Sequence, residues 1–343
     1  MRYRFVILGG IVAGGLIAYY LLWAHLVDQM AARADAWIDS QKALGREVAY
    51  DRLRLWGFPY RLSLTFENLC WHDPKSMADW SLQSDSVTAH LQLWNPDHVI
   101  FDLGGSQRID WRPSAGASRQ QTVLTGARFL ASMTTDAAGV WQQFDADIHQ
   151  PKLSVGLQDW SADRLRLHGR RDSNVPPSTD LALQVDNGVL PATADGPLGR
   201  KVPALTLIGS LRGSLYGKTP EDILRTWRES GGILDLSTIQ LQWGGLRIDG
   251  NGSLAIDRRM RPLGAMSGKI YGAGHGIDAL QDAGRMTDRE AAAAKTALAL
   301  LEQRDADGQP HLTVPLTAQD GKLFLGPVPL FSLPSVLPAT EPQ

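Results

Sequence analysis

The residues with the strongest resemblance to known chemical motifs lie in Gly244–Gly272, GGLRIDGNGSLAIDRRMRPLGAMSGKIYG. Within it, GAMSGK (Gly264–Lys269) resembles a phosphate-binding loop. However, three residues rather than four separate its glycines, and Ile270 stands where serine or threonine is required. A phosphate loop must also open a helix, whose N-terminus supplies free N–H groups, whereas KIYG continues an alternating strand pattern. We therefore expect no nucleotide site here.

Oxygen ligands in the same stretch raise the question of a metal. A calcium loop needs oxygen ligands at alternate positions and a glutamate at its end, and the stretch that contains Asp249, Asn251 and Asp257 lacks that order. Asp-Gly-Asn-Gly is more typical of a turn or a bulge. The basic segment DRRMRP (Asp257–Pro262) predicts a solvated turn, with contact to anionic lipid headgroups as the alternative.

The rest of the chain supplies few catalytic signatures. It has one cysteine, Cys70, so neither a disulfide within the chain nor a cysteine-based zinc site can form. His72 and Asp73 are adjacent, but strand neighbours point to opposite faces. No G-x-S-x-G or H-E-x-x-H motif occurs. We assign no catalytic, cofactor or metal residue, and a hydrolase site assembled from distant acids and histidines stays the alternative.

The elements that must position any site begin with the N-terminus. Phe5–Trp23 is an uncharged run of 19 residues, long enough to cross a bilayer as a helix. Arg2 and Arg4 precede it, which predicts a cytoplasmic N-terminus and places the bulk of the chain outside. The net charge of −2 gives no basic footprint for nucleic acid.

Two further features of this segment remain open. A cleaved signal peptide is the alternative to an anchor, with Ala32-Arg33-Ala34 as a weak cleavage site that lies far beyond the apolar run. The spacing Gly10-x-x-x-Gly14 would allow two such helices to form a homodimer, and a glycine-rich helix without a partner is the competing interpretation.

Residues 25–45 predict an amphipathic helix that continues the anchor. Its apolar positions recur at helical spacing, and Gly45 is a suitable C-terminal cap. We expect the following sheet to cover this stripe, formed by Leu26, Met30, Ala34, Trp37, Ile38, Gln41 and Leu44.

From residue 46 the apolar period becomes two, which predicts strands. We divide them into a first β lobe, 46–172, and a second, 179–330, separated by the loop Arg170–Asp180. Helices are predicted near 220–229 and 288–303, the latter with a capping box of Thr287 and Glu290. Asp320-Gly321 predicts a tight hairpin turn, and 331–343 a loose tail.

The chain resembles the bacterial family called domain of unknown function 2125, through the N-terminal anchor, LWGFPYRLSL, GNGSLAIDRRMRPLGAMSGKI and LTVPLTAQDGKLFLGPVPL. More loosely, G-x-L-x-I-D…R-P-x-G resembles AsmA-like envelope proteins. That resemblance implies an inner-membrane anchor, a periplasmic location and a large curved antiparallel sheet, partly filled or flanked by the amphipathic helix. It supplies no catalytic residues.

Two non-enzymatic functions follow. The first is an anchored module that binds lipid or another apolar ligand in envelope biogenesis. Its candidate groove residues, which share one strand face, are Leu246, Ile248, Leu254 and Ile256. Tryptophans near strand ends, such as Trp56, Trp94 and Trp243, could add to an apolar lining. The second is a structural scaffold with a filled core and protein partners.

Overall fold

A computed structural model describes residues 2–75, 79–92, 94–112, 118–172, 178–217, 220–284, 286–325 and 328–337. The chain is mainly β, with a long N-terminal helix and extensive antiparallel pairing, as predicted. Its internal contacts group residues 1–142 into one compact unit and residues 143–343 into a second.

The first unit begins with one continuous helix, α1 (Arg2–Ala43), so the predicted anchor and amphipathic segment form a single rod. Its end has the geometry expected for a left-handed glycine cap, because Gly45 has φ +79°. The N–H of Gly45 donates to the carbonyl of Lys42, and that of Arg46 to the carbonyl of Gln41. These two bonds satisfy carbonyls that the helix itself leaves unpaired.

An antiparallel sheet follows α1 in this unit. β1 and β2 pair successively with β3, which pairs with β4, and β4 pairs with β5; β6 and β7 then pair with β5. The strands are β1 (Glu47–Ala49), β2 (Arg52–Trp56), β3 (Arg61–Asp73), β4 (Trp80–Gln92), β5 (Asn95–Trp111), β6 (Gln120–Thr125) and β7 (Arg128–Thr135).

The helix α1 covers one face of this sheet, which confirms the predicted role of its apolar stripe. Met30, Ala34 and Ile38 are buried in one cluster with four apolar residues of β3, namely Leu62, Leu64, Phe66 and Leu69. Gln41 is buried with them, whereas Leu44, at the end of the predicted stripe, is exposed. The first unit therefore has a helix-covered core.

The second unit contains a longer antiparallel sheet in the order β8, β11, β12, β13, β14, β15, β16, β18, β19, β20. These strands are β8 (Trp141–His149), β11 (Arg164–Asp172), β12 (Ser178–Val189), β13 (Lys201–Arg212), β14 (Ile233–Trp243), β15 (Leu246–Ile256), β16 (Pro262–Tyr271), β18 (Pro310–Gln319), β19 (Lys322–Leu325) and β20 (Val328–Ser332). Three short strands flank it: β9 (Lys152–Val155), β10 (Gln158–Ser161) and β17 (Gln303–Arg304).

Helices connect several of these strands: α2 (Pro220–Glu229), α3 (Ala273–Asp282) and α4 (Asp288–Leu301), besides a 3₁₀ turn at Ala192–Ala194. The predicted helices correspond to α2 and α4. In α2, Trp227 is buried and its indole N–H donates to the carbonyl of Arg212, 2.7 Å away. Thr219, which the sequence places at the N-cap of α2, lies outside the described residues.

The capping box of α4 is present. The Thr287 hydroxyl accepts from the N–H of Glu290 at 3.3 Å, and the Glu290 carboxylate accepts from the N–H of Thr287 at 2.8 Å. We expect Thr287→Ala to destabilise the first turn of α4 by about 1 kcal/mol, seen as faster amide hydrogen exchange at Glu290 and Ala291. Thr296→Ala, later in the same helix, should leave those two amides unchanged; equal acceleration by both variants would contradict a capping role.

Two predicted boundaries differ from the structure. The division between units falls after Gln142 rather than at Arg170–Asp180, because β11 and β12 pair from Arg164 to Asp172 and hold both ends of that loop in one sheet. Residues 173–177 lie outside the described residues.

The C-terminal tail is not loose from residue 331. The backbone N–H of Leu333 donates to the carbonyl of Gly321, and that of Val336 donates to the carbonyl of Met260. Residues 338–343 also lie outside the described residues.

Candidate functional site

The sheet of the second unit has two chemically different faces. Antiparallel partners share a face, and the register places arginines, histidines and aspartates together on one of them. Asp147 accepts two bonds from Arg164, at 2.8 and 2.7 Å, and Arg166 pairs with Asp186 at 3.1 Å. Further ion pairs of this face are His168–Asp145, Arg170–Asp180, Arg212–Asp235 and Arg247–Asp249. On this ion-paired face, most positive side chains are therefore balanced by a negative partner.

The opposite face is apolar across eight consecutive strands of the sheet, from β8 to β18. One row of directly paired residues consists of Ile148, Leu165, Val185, Leu205, Leu241, Ile248, Ile270 and Leu312. At an inter-strand spacing of about 4.8 Å, this row is roughly 34 Å long. We call this surface the apolar face.

A β-bulge keeps the apolar face continuous across β14. Ser237 is an extra residue in this strand, since Ile208 pairs with Thr238 and Gly209 with Leu236. Its hydroxyl donates to the carbonyl of Ile208 at 3.2 Å. Without the bulge, strict alternation would send Leu236 and Ile239 to opposite faces; with it, both lie on the apolar face.

Burial distinguishes this face from the covered core of the first unit. Leu62, beneath α1, is 2% exposed. In the row across the second sheet, Ile148 is buried, and the other seven side chains are only half-buried. These side chains bury one another within a single layer and retain contact with solvent. The apolar face is therefore incompletely covered by the described part of the chain.

The four candidate groove residues all lie on the apolar face. β15 and β16 pair without interruption from Arg247 to Ile256, so Leu246, Ile248, Leu254 and Ile256 share one side, and each is half-buried. Leu246 lies at the margin of the apolar face, next to Gly276 of α3, where an added Cβ would be 3.4 Å from the Leu246 side chain. The sequence did not predict α3, because Gly272, Gly274 and Gly276 are typical of turns.

A notch in the apolar face lies between these residues. Gly250 and Gly268 are directly paired and carry no side chains, between Ile239 of β14 and Val314 of β18. A Cβ added at Gly250 would lie 2.7 Å from the carbonyl oxygen of Ser267, so glycine is required there. A Cβ at Gly268 would meet its nearest atoms at 3.7 Å, an ordinary contact distance. The notch is thus open above Gly268.

The motifs that suggested ligand chemistry are accounted for by the sheet. Gly264–Lys269 lies inside β16, as the strand pattern predicted. Asp249–Gly252, predicted as a turn or bulge, instead runs straight through β15, and the bulge belongs to the neighbouring β14. Asp257 accepts bonds from the backbone N–H groups of Arg259 and Arg261 and pairs with the Arg261 guanidinium. Within the described residues, no group of three or more His, Cys, Asp or Glu could hold a metal.

A serine–histidine pair occurs in the first unit. The Ser63 hydroxyl lies 2.8 Å from Nδ1 of His90, and burial, followed by the charge of Arg61, lowers the pKa of His90. A neutral imidazole at this distance has the geometry of a base beside a nucleophile. Ser63 is 0% exposed, however, and the Trp56 ring packs against His90. A substrate therefore has no access to the hydroxyl.

A second histidine lies between two carboxylates. Nδ1 of His72 is 3.3 Å from Glu47 and Nε2 is 3.0 Å from Asp79, while Asp73 faces away and pairs with Arg46 at 2.7 Å. The hydrogen bond to Asp79 is the main cause that raises the pKa of His72 above 6.5, and the same bond holds the pKa of Asp79 below 3.8.

This arrangement predicts a pH-dependent stability. The protonated imidazole is favoured in the folded chain, so its contribution is fully present below about pH 6.5 and is lost as the pH rises through the folded pKa. The Asp79 carboxylate contributes to folding stability above its unfolded pKa, and this contribution is lost as the pH falls through its lower folded pKa. The melting temperature of the protein should exceed that of His72→Gln most between the two unfolded pKa values, 3.8 for Asp79 and 6.5 for His72. A difference independent of pH would contradict the pairing.

The described chain is thus a β-sheet protein with one long N-terminal helix. The helix covers the strands of the first unit, and the strands of the second unit present one ion-paired and one apolar face. It belongs to the bacterial family described as "Uncharacterized protein conserved in bacteria (DUF2125)", which matches residues 23–334. No curated protein and no solved structure matches the chain. The resemblance to AsmA-like proteins stays a prediction from the sequence.

Proposed function

We propose that this protein is a non-enzymatic, membrane-anchored module that shelters acyl chains or another apolar ligand on the apolar face of its second unit. The single observation that carries the proposal is the half-buried apolar row on β11–β16 and β18. Covering apolar surface is favourable by about 25 cal/mol per Å², and large apolar surfaces that remain in contact with solvent typically mark binding sites. The proposal includes no catalytic step.

The anchor in this proposal is α1, which is long and apolar enough to cross a membrane. Cleavage after Ala34 would remove Met30 and Ala34 from the core of the first unit, and this favours retention of the N-terminus over a signal peptide. The positions of Arg2 and Arg4 support a cytoplasmic N-terminus and a periplasmic bulk in a bacterial inner membrane. The homodimer through Gly10 and Gly14 stays a prediction.

The test is to identify what accompanies the full chain out of the membrane. The protein is extracted in a polymer belt without detergent, purified in parallel with an unrelated single-span protein, and examined by native mass spectrometry and lipid extraction. We expect the intact N-terminus and an acyl-bearing molecule that survives exchange into lipid-free detergent in a fixed ratio to the chain. Recovery of only the lipids that accompany the control protein would refute ligand binding.

A scaffold is the alternative function, and one observation favours it. Leu300 and Leu301, at the end of α4, are 83% and 67% exposed. Exposed adjacent leucines suit a protein partner better than solvent. Photo-crosslinkers placed at these two positions in cells should then trap a defined envelope protein, and the mass-spectrometric experiment above should find no stoichiometric lipid.

A further inference from the structure

The turn between β2 and β3 lies against α1 at the end of its apolar run. The Phe58 ring packs on three aromatic rings of the helix, with its centroid 6.2 Å from that of Tyr19, 5.9 Å from Tyr20 and 5.3 Å from Trp23. Tyr19 donates its hydroxyl hydrogen to the carbonyl of Pro59. The indole N–H of Trp23 donates to the carbonyl of Arg61 at 3.3 Å. This turn is therefore fixed at a defined height along the helix.

The turn between β4 and β5 lies at the same end of the first sheet. Arg61 pairs with Gln92 at the start of β3 and the end of β4. A cavity between α1 and this end of the sheet is lined by Leu26, Met30, Leu62, Leu91 and Pro96. Leu26 lies one turn after Trp23, so both turns are close to the level at which the apolar run ends.

These two turns expose several large aromatic side chains to solvent. Tyr60 is 77% exposed, Trp94 is 72% exposed and Phe58 is 52% exposed. Next to them, the Arg61 guanidinium lies over the Trp56 ring, 4.5 Å from its centroid. Tyrosine and tryptophan concentrate at membrane–water interfaces, where an apolar ring and a polar edge are both accommodated. A cation beside them suits lipid phosphates.

The height of these side chains follows from helix geometry. Residues 5–23 span roughly 28 Å as a helix, about the thickness of the hydrocarbon core. When they cross a bilayer, Tyr19, Tyr20 and Trp23 lie at its outer interface, and the turns in contact with them lie at the same plane. Burial of Tyr60 and Trp94 in the headgroup region would then remove their rings from water.

We propose that the β2–β3 and β4–β5 turns form a second membrane contact, a pair of aromatic loops seated in the lipid headgroup region beside α1. The partner is the bilayer surface itself. This inference rests on the proposed anchoring by α1 and extends it, because a single helix can tilt in the bilayer together with the sheet packed on it, whereas contact of the two turns with the headgroups would limit that tilt.

The test measures the depth of single labelled sites in the full chain. In a Cys70→Ser background, an environment-sensitive fluorophore is attached at Tyr60→Cys or, as a second site, Trp94→Cys. The protein is reconstituted in vesicles of phosphatidylethanolamine and phosphatidylglycerol that contain nitroxide lipids, labelled either near the headgroup or near the chain end. Ile11→Cys, within the apolar run, reports on anchoring, and Lys75→Cys, at the far end of β3, reports on the sheet away from the membrane.

We expect at least one loop site to be quenched several-fold more strongly by the nitroxide near the headgroup than Lys75→Cys is. Ile11→Cys should be quenched most strongly by the nitroxide near the chain end. Quenching at Ile11→Cys without quenching at either loop site overturns the second contact and leaves the anchor intact. A lack of quenching at Ile11→Cys overturns the anchor, and the second contact with it.

Discussion

Replacing Gly268 by leucine should reduce binding of the proposed apolar ligand by about tenfold or more, a change of at least about 1.4 kcal/mol in binding free energy. The new side chain would fill the notch above the Gly250–Gly268 pair, between Ile239 and Val314. Its Cβ meets existing atoms only at ordinary contact distance, and leucine is no worse than glycine in a strand. The loss should therefore occur without unfolding. Native mass spectrometry of the extracted chain, with circular dichroism for the fold, measures both quantities.

The neighbouring residue supplies a matched control. Ser267 is exposed and lies on the ion-paired face, so Ser267→Leu adds the same side chain to the same strand on the opposite side. It should retain the ligand. Loss of ligand in both variants would attribute the effect to a general disturbance of β16 and contradict a site on the apolar face. Unchanged binding in both would place the ligand elsewhere.

Replacing Leu62 by alanine should lower the free energy of unfolding of the first unit by about 2–5 kcal/mol. Leu62 is 2% exposed and lies in the core formed with Met30, Ala34 and Ile38 of α1. The truncation leaves a cavity between helix and sheet, which weakens the attachment of the part of α1 beyond the apolar run. Denaturant titration of the full chain in detergent, followed by tryptophan fluorescence, measures the change in stability.

Hydrogen exchange adds a local measurement to the same variant. The amides of Met30–Gln41 should exchange faster in Leu62→Ala, since they lie in the half of α1 that this core holds. Leu44→Ala removes an equally large but 53% exposed side chain from the same unit, and should change the stability by less than about 1 kcal/mol. Similar losses in the two variants would show that burial beneath α1 is not what stabilises the unit.

Much of the local structure could be predicted because it follows from periodicity. Helical spacing identified Met30, Ala34, Ile38 and Gln41 as buried positions of α1, and Gly45 as its cap. Alternation placed Leu246, Ile248, Leu254 and Ile256 on one strand face. The capping box at Thr287 and the hairpin turn at Asp320-Gly321 each depend on adjacent residues, whose conformational preferences are strong enough to act alone.

The features that escaped prediction depend on residues distant in the chain. Helix α3 forms despite Gly274 and Gly276, and it lies close to β15, where a Cβ added at Gly276 would meet the Leu246 side chain at 3.4 Å. The Ser63–His90 pair joins strands whose register no local pattern specifies. The apolar face itself extends over eight strands, and its continuity requires the register of every pair. Its notch had a weak signal, since Gly250 and Gly268 fall at apolar positions of two alternating strands.

The bulge at Ser237 has a consequence for comparing this chain with its relatives. Deleting Ser237 would join Leu236 directly to Thr238 and restore plain alternation in β14, so that Leu234, Ile239 and Leu241 would keep their present side. Deleting Thr206 from β13, where the pairing is regular, would instead reverse every later side chain of that strand. Sequences in this family can therefore differ in length by one residue at Ser237 and still present the same surface, whereas a gap in β13 marks a change of architecture.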